Sequence, residues 1–255
     1  MCGRYASSRR PEDLIEEFEI EHVRLRDPVE PDYNVAPTKP VPAVVERTRE
    51  GEQIRMLTTL RWGLIPSWAK ERSIGNRMIN ARMETVAEKP AFRKAFAARR
   101  CLLPADGYYE WYATDRIGKG GKPVKQPFFI RPTGGGHLAM AGLYEIWRDR
   151  GMPEDDPEAF VWSSTVITTS AEDDLGHIHD RMPLLVEPSR WGRWLDPTVS
   201  DPGELLALLV PAAPGRLEAY PVSTEVNNVR NDGAQLIQPL PAEQVATEPA
   251  TLDVV

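Results

Sequence analysis

The sequence predicts a single α+β domain that is rich in β-strands, mainly antiparallel, curled or barrel-like, and flanked by a few peripheral helices. Two observations support this prediction. Many short apolar runs of strand character are separated by turns that contain Pro or Gly, and few helical segments lie between them, which favours antiparallel pairing. The chain also contains no internal repeat and no strand–Gly-x-Gly-x-x-Gly–helix unit, so a dinucleotide-binding fold is not indicated.

Elements of the N-terminal half follow from the positions of proline and from apolar spacing. A short helix begins near Pro11 and carries acidic residues in its first turn, where the helix dipole favours them. A Pro-rich extended segment then enters a strand at residues 41–46, and the next strand, at 55–66, is closed by a proline. Residues 88–100 are predicted to form an amphipathic helix with two phenylalanines on one face.

The C-terminal half continues mostly as strands. An Asp-Gly pair breaks residues 101–113 into two strands, and a turn rich in Gly and Lys, at 114–126, joins them to a strand at 127–132 as a hairpin. The further elements are long apolar strands at 137–147 and 160–171, helices at 187–195 and 201–210, and a last strand at 217–223. The domain is predicted to cover residues 2–239, and residues 240–255 have the composition of a disordered tail.

Length and composition restrict the class of protein. The chain has 255 residues, of which 41% are hydrophobic, enough to form one large domain or two small ones. No apolar run approaches the ~20 residues of a membrane span, and the start has no apolar signal-peptide core, so we expect a cytoplasmic protein without membrane contact. The two cysteines, Cys2 and Cys101, lie far apart, which argues against a disulfide framework and fits a reducing compartment.

The charge is unevenly distributed. The net charge is −7, but residues 54–103 contain eleven basic and three acidic side chains, a surplus of eight positive charges, so the rest of the chain carries −15. A basic stretch in an acidic protein fits a surface that binds a polyanion. It equally fits a pair of solvated helix faces, and charge alone does not decide between the two interpretations.

Candidate chemistry concentrates on Cys2. The chain has four histidines, two cysteines and no Cys-x-x-Cys pair. His177 and His179 would share a strand face, but two histidines alone are weak support for a zinc site. We therefore expect no metal and no cofactor. Cys101 lies in an apolar strand and is expected to be buried. Cys2, in contrast, becomes the N-terminal residue once Met1 is removed, and it then carries an α-amine and a thiol on adjacent carbons.

Six segments carry a family resemblance: MCGRY, YNVAP, RWGLIP, INARMET, ADGYYEW and IHDRMP. In this order and at this spread they resemble the SRAP family, named for SOS-response-associated peptidase. The family includes proteins that crosslink to abasic sites in single-stranded DNA. The resemblance runs from residue 2 to about residue 239 and implies a single β-rich α+β domain with a positively charged groove.

The resemblance also implies roles for individual residues. Cys2 matches the crosslinking nucleophile, Asn80 the asparagine that orients it, Glu110 the catalytic glutamate, and His179 the active-site histidine. The positions that match DNA contacts of the family are Arg4, Asn34, Trp68, Arg82, Thr168 and Arg181. The implied partner is single-stranded DNA that contains abasic sites, bound by a monomer in the cytoplasm that joins the nucleoid when DNA is damaged.

An N-terminal cysteine suits this chemistry because its amine can form an imine with the open aldehyde of an abasic sugar, and its thiol can then close a five-membered thiazolidine. The imine also makes strand cleavage by β-elimination possible as a lyase side activity. Two alternatives stay open. Cys2 could serve a thiol peptidase, the activity in the family's name, and Met1 release could be autoproteolytic. The chain could also bind single-stranded DNA without catalysis.

Overall fold

The computed structural model describes residues 2–26, 28–118, 120–171 and 173–245. Within these ranges it contains thirteen strands and four α-helices. The strands are β1 (Tyr5–Ser7), β2 (His22–Arg24), β3 (Asp32–Val35), β4 (Pro40–Arg49), β5 (Glu52–Trp62), β6 (Asn80–Arg82), β7 (Arg100–Ala105), β8 (Gly107–Ile117), β9 (Pro123–Pro132), β10 (Leu138–Arg148), β11 (Phe160–Ser170), β12 (Arg181–Pro183) and β13 (Leu217–Pro221). The helices are α1 (Pro11–Glu17), α2 (Arg93–Ala98), α3 (Trp191–Leu195) and α4 (Pro202–Leu208).

Five long strands close into a barrel. They pair in the order β5-β4-β7-β10-β11, each antiparallel to the next, and β11 returns to β5 in parallel, with Ser163 opposite Arg61 and Ser164 opposite Trp62. The short strands β2, β6 and β12 extend the barrel sheet at its margins. The predicted fold, a β-rich and mainly antiparallel α+β domain that curls into a barrel, is therefore confirmed.

Most residues in the middle of the long barrel strands are buried on both faces of the sheet. Inward-facing side chains alternate with outward-facing ones along each strand. The barrel interior is formed by side chains such as Val41, Val45, Cys101, Leu103 and Val166. Neighbouring strand residues point outward and pack against side chains of the four helices. The strand residues are Val44, Leu57, Leu102 and Ile167, and the helix residues are Leu14, Phe96, Trp194 and Leu205. The helices thus cover a barrel that already has its own core.

A second, five-stranded sheet carries the N-terminus. Its order is β13-β9-β8-β1-β3, and a separate apolar cluster underlies it. Strand β1 lies between β8 and β3, antiparallel to both. The start of the chain is therefore enclosed within this sheet, which determines where Cys2 lies.

Helix lengths are the main departure from the sequence prediction. The helix expected at 88–100 covers only Arg93–Ala98, and the residues before it form turns in which Phe92 N–H donates to the carbonyl of Lys89. Pro90 explains the late start, because the residue before a proline is disfavoured in helical conformation. The predicted hairpin between β8 and β9 forms, but β8 extends to Ile117 and β9 begins at Pro123, so the connecting turn is shorter than the predicted range of 114–126.

Four of the eleven basic side chains in the stretch at 54–103 are buried or half-buried and bonded within the protein. Arg100 is 1% exposed and donates to the carbonyls of Trp194, Phe96 and Asp196. Arg55, Arg61 and Arg99 are half-buried and bonded to neighbouring groups within the protein. The other seven basic residues of the stretch are exposed: Lys70, Arg72, Arg77, Arg82, Lys89, Arg93 and Lys94. These seven are the members of the stretch that are most available to a polyanion.

The predicted tail begins within the described structure. Leu240 N–H donates to the carbonyl of Pro221, and residues Ala242–Gln244 form a single 3₁₀ turn. Residues 246–255, which hold most of the predicted tail, lie outside the described residues. Among the helices that the structure describes, none is long and apolar enough to cross a membrane.

We predict that Arg100→Ala destabilises the protein without changing its surface chemistry. The substitution leaves three carbonyls near the ends of α2 and α3 without their donor, and each buried unsatisfied group costs about 1–3 kcal/mol. Urea unfolding should show a loss of at least ~3 kcal/mol in the free energy of unfolding. Lys94→Ala, which removes an exposed charge of the same stretch, is the control and should change stability by less than about 0.5 kcal/mol.

Candidate active site

The sheet pairing of the N-terminus brings Cys2 towards Glu110. In the pairing of β1 with β8, Tyr5 lies opposite Tyr108, and Tyr109 N–H donates to the carbonyl of Arg4 at 2.9 Å. Continuing this antiparallel register moves Cys2 towards Glu110 on β8. The Cys2 side chain is 1% exposed and lies at the edge of the barrel's inner core.

Asn80 holds the Cys2 backbone. It is the first residue of β6, which pairs in parallel with β11, so that Asn80 lies opposite Val166 and Arg82 opposite Thr168. The Asn80 Nδ2 donates a hydrogen bond to the Cys2 carbonyl at 2.9 Å. The Asn80 Oδ1 is buried and has no hydrogen-bond partner among the described residues. The Asn80 side chain thus holds Cys2 through its Nδ2, and its Oδ1 remains as a hydrogen-bond acceptor in the same buried region.

Glu110 and His179 form a carboxylate–imidazole pair. Glu110 is 2% exposed, and its Oε2 lies 3.9 Å from the Nε2 of His179. The backbone N–H of Arg181 donates to the His179 Nδ1 at 3.0 Å. In the neutral ring this bond places the proton on Nε2, which faces Glu110. Asp180 Oδ1 lies 3.0 Å from the same Nδ1 and can pair with the ring when it is protonated.

Burial shifts the pKa values of Glu110, Cys2 and His179. Burial raises the pKa of Glu110 from 4.5 to about 7. Burial, with a contribution from the charge of Glu110, raises the pKa of the Cys2 thiol well above its ordinary value. Burial lowers the pKa of His179. At neutral pH the thiol is therefore protonated, the imidazole is mostly neutral, and the Glu110 carboxyl can either give or accept a proton.

An open cleft leads to these groups. It is lined by Arg4, Glu110, Trp111, Lys125, His179 and Asn227. Trp111 Nε1 donates to the Oδ1 of Asn227 at 2.7 Å, and the Arg4 guanidinium lies 5.7 Å from the Trp111 ring centroid. Lys125 is exposed and close enough that its charge acts on both Glu110 and His179.

Three of these cleft residues were not identified from the sequence: Trp111, Lys125 and Asn227. Trp111 directly follows Glu110, so the segment DGYYEW contained a signal for it. Lys125 reaches the cleft through the pairing of β8 with β9, where it lies opposite Ala113. No local pattern marks Lys125 or Asn227, because each lies far from Glu110 in sequence.

Three of the expected DNA-contact residues lie together where β6, β11 and β12 meet. Arg181 forms a bidentate pair with Glu84 and donates to the carbonyl of Thr168 at 2.6 Å. The side chain of Thr168 is 2% exposed. Arg82 is exposed and has no ion pair among the described residues. This corner therefore combines one unpaired cation with one that is partly neutralised.

The other expected contacts are distributed differently. Arg4 donates to the Asn34 Oδ1 at 2.6 Å and to the carbonyl of Val226 at 2.8 Å. Asn34 has no exposed surface; its Nδ2 donates to the carbonyls of Val226, Asn228 and Asn231, so it fixes the segment that contributes Asn227 to the cleft. Trp68 is 54% exposed in the segment that connects β5 to β6.

The histidine spacing does not mark a strand. His177 ends a 3₁₀ helix that spans Asp173–His177, and His179 follows it in a turn before β12, so the two rings do not share a strand face. The chain leaves the extended conformation there because the segment closes a short loop between β11 and β12. Within the described part of the chain, no group of three or more His, Cys, Asp or Glu side chains could hold a metal ion.

Comparison with known proteins gives consistent matches. The model of a family described as SOS response associated peptidase (SRAP) matches residues 1–229. The chain is 40% identical over 238 residues to the abasic site processing protein YoqW of Bacillus subtilis, covering 93% of this chain and 99% of that one. It is 34% identical over 247 residues to the abasic site processing protein YedK of Escherichia coli, covering 94% and 100%.

A solved structure shares the fold. A crystal structure of a protein from Bacteroides thetaiotaomicron superposes with a TM-score of 0.77 at 23% sequence identity, and it covers 94% of this chain and all of that chain. At this level of identity the likeness concerns the fold alone.

We predict that Glu110→Gln stabilises the protein as the pH rises. Because its pKa is higher in the fold than in the unfolded chain, the wild-type carboxyl contributes least to stability above pH 7 and most below pH 4.5. The advantage of the Gln variant in unfolding free energy should therefore grow between about pH 5 and pH 8, by roughly 2–3 kcal/mol. Denaturant unfolding across this range measures the difference.

Glu84→Gln provides the control for this experiment. The hydrogen bond from Arg181 lowers the pKa of Glu84, so the contribution of that carboxylate to stability is lost only as the pH falls below about 4.5, and Glu84→Gln should differ from wild type by a constant amount between about pH 5 and pH 8. Parallel pH–stability curves for wild type and Glu110→Gln would contradict the burial of an ionisable Glu110.

Proposed function

The chain belongs to the SOS response associated peptidase (SRAP) family, and we propose that it processes abasic sites in single-stranded DNA by crosslinking to them through Cys2. The observation that carries this proposal is the placement of Cys2. Its backbone is held by Asn80, and the side chain lies within electrostatic reach of the buried Glu110. The names of the relatives at 34% and 40% identity, abasic site processing proteins, support the same substrate class.

The proposed reaction begins once Met1 has been removed. The Cys2 α-amine adds to the open aldehyde of the abasic sugar, and loss of one water leaves an imine. The Cys2 thiol then adds to the imine carbon; its proton passes to the imine nitrogen, and a thiazolidine ring closes. Because amine and thiol are on adjacent carbons, ring closure is intramolecular and gains the rate advantage of proximity.

The amine acts before the thiol in this proposal. Burial raises the pKa of the Cys2 thiol, whereas cysteines that attack peptide bonds depend on a lowered thiol pKa. A buried, protonated thiol is better suited to the second step, after the amine has already bound the carbon. This difference is also why we favour crosslinking over the peptidase alternative.

Glu110 supplies the proton transfers. With a pKa of about 7, it can protonate the leaving hydroxyl as the imine forms and then accept the thiol proton during ring closure. His179 presents Nε2–H towards Glu110 and can assist at the sugar oxygen. The same imine permits β-elimination, so abasic-site lyase activity is proposed as a competing outcome.

The DNA path is proposed to follow the exposed charges. Arg82 beside Asn80 and Lys125 in the cleft are exposed cations that can contact phosphates on either side of the abasic sugar. Arg181 can contribute after exchange of its partner Glu84. Asn34 is proposed to act indirectly, through the segment that it holds, and Trp68 to pack against a base.

We predict that Cys2→Ala abolishes stable capture of abasic single-stranded DNA. On a denaturing gel the wild type should leave a shifted band whose mass is the sum of protein and DNA less one water. The Ala variant keeps its amine, so it should give a band only when a borohydride reductant traps the imine. Salt-dependent binding should persist, because no phosphate contact is lost.

Cys101→Ala is the matched control for this test. Cys101 is buried in the barrel and its pKa is raised by burial, so its removal should not affect capture. A denaturation-resistant adduct with Cys2→Ala in the absence of reductant, or a wild-type protein that retains Met1 and still crosslinks, would contradict the thiazolidine mechanism.

We predict that Glu110→Ala slows crosslinking by about 10²–10⁴-fold and leaves DNA affinity unchanged or slightly tighter, because a carboxylate near phosphates is repulsive. Microscopic reversibility requires that pre-formed adduct also exchange more slowly against an excess of unlabelled abasic DNA. Glu145→Gln, another buried glutamate but paired with Arg99, should crosslink at the wild-type rate. If Glu110→Ala crosslinks and exchanges at wild-type rates, the proposed role of Glu110 is wrong and the proton transfers are assigned to His179.

A further inference from the structure

Arginines converge on Trp162, near the start of β11 and away from the part of that strand that carries Thr168. The guanidinium groups of Arg24 and Arg47 each lie 5.1 Å from the centroid of the Trp162 ring. Tyr144 stacks on the same ring, with centroids 5.8 Å apart and planes 8° from parallel. The tryptophan is thus covered by one aromatic ring and two cations.

Neither of these arginines has an acidic partner among the residues that the structure describes. Both are exposed, and within the described part of the chain neither forms an ion pair. Arg24 comes from β2 and Arg47 from β4, so two strands that do not pair with one another present like charges at one point. Such an arrangement is repulsive unless an anion lies between the charges.

A cleft beside Trp162 extends the positive surface. It is lined by Arg26, Thr38, Pro40, Thr59, Arg61, Arg72, Glu158, Val161 and Trp162. Burial, together with the charge of Arg72, lowers the pKa of Arg61, so these two cations are close to each other. Glu158 is 3.6 Å from Arg26 and is the only acidic side chain among the described residues of this lining. The hydroxyl of Thr59 is buried and has no hydrogen-bond partner among the described residues, which leaves it available to a ligand oxygen.

These features fit phosphate groups rather than bases. A base would need an uncovered face of Trp162 on which to stack, and Tyr144 and the two guanidinium groups occupy the ring. Guanidinium groups and a free hydroxyl are suited to phosphate oxygens. Binding at this place would therefore be independent of sequence.

The surface lies at a distance from Cys2 that a strand of DNA can span. Asn80, which holds Cys2, lies opposite Val166, and Val166 is four residues from Trp162 on β11, which corresponds to ~13 Å of extended strand. The segment between β5 and β6 connects the two places. Arg72 in this segment lines the Trp162 cleft, exposed Lys70 and Arg77 lie in the same segment, and Asn80 follows it at Cys2.

We propose that the arginine surface around Trp162, formed by Arg24, Arg47, Arg61 and Arg72, binds the phosphate backbone of the DNA that flanks the abasic site. The proposal rests on the proposed function in taking DNA as the ligand. It assigns to the protein a second contact, separate from the Cys2 cleft.

The test uses an undamaged single strand of about 24 nucleotides, with affinity measured by fluorescence anisotropy at several salt concentrations. In the double variant Arg24→Ala/Arg47→Ala, the log–log salt slope for this strand should fall by about 1.4, since each phosphate contact contributes ~0.7. The double variant Arg24→Lys/Arg47→Lys keeps the charges and should keep the wild-type slope.

Lys89→Ala/Lys94→Ala removes two exposed charges near α2 and is the matched control, expected to keep the wild-type slope. An equal loss of slope in both Ala pairs would indicate diffuse attraction and overturn the proposal, as would an unchanged slope in Arg24→Ala/Arg47→Ala. Thermal unfolding verifies that the variants fold. Crosslinking to a short abasic strand is measured separately: its failure in the wild type would refute the proposed function and leave the salt-slope result standing.

Discussion

The antiparallel pairing of β1 with β8 is the constraint on which the site depends. It encloses the first residues of the chain within a sheet, where a terminus would otherwise be free to move. Three groups from distant parts of the sequence then meet: Cys2 from the terminus, Glu110 from β8, and Asn80 from a short strand that pairs with the barrel. A covalent mechanism that uses the terminal amine needs this immobilisation, because both reacting groups belong to the first residue.

Burial gives the site its chemistry and weakens the fold there. Glu110 lies in a place where its ionised form is unfavourable, which moves its pKa to about 7 and makes it usable in both directions near neutral pH. The same burial keeps the Cys2 thiol protonated until a base is available beside it. A carboxyl that is helpful for proton transfer is thus a source of instability at neutral pH, which is a common property of catalytic groups.

Positive charge is used in two ways in this acidic protein. Arg100 is wholly internal, where it satisfies backbone carbonyls between two helices and the barrel. The exposed arginines are brought together by strand pairing and not by sequence proximity: Arg24 and Arg47 lie outside the basic stretch, yet they meet over Trp162. The count of charges along the sequence therefore overestimated the positive surface formed by residues 54–103 and missed the arginines around Trp162.

Sequence alone determined the strand-rich class, the existence of the hairpin between β8 and β9, though not the bounds of its turn, and the reactivity of an N-terminal cysteine. Turn residues, apolar alternation and the structure of cysteine are local properties. The resemblance of six motifs indicated the family. Only the tertiary structure decided that β11 closes the barrel by pairing with β5. It also decided that Asn34 is buried and holds the segment around Asn227 through hydrogen bonds, and that Lys125, Asn227 and Trp162 line clefts. These features arise from strand pairings between residues far apart in the chain, and no local pattern encodes which distant strands will pair.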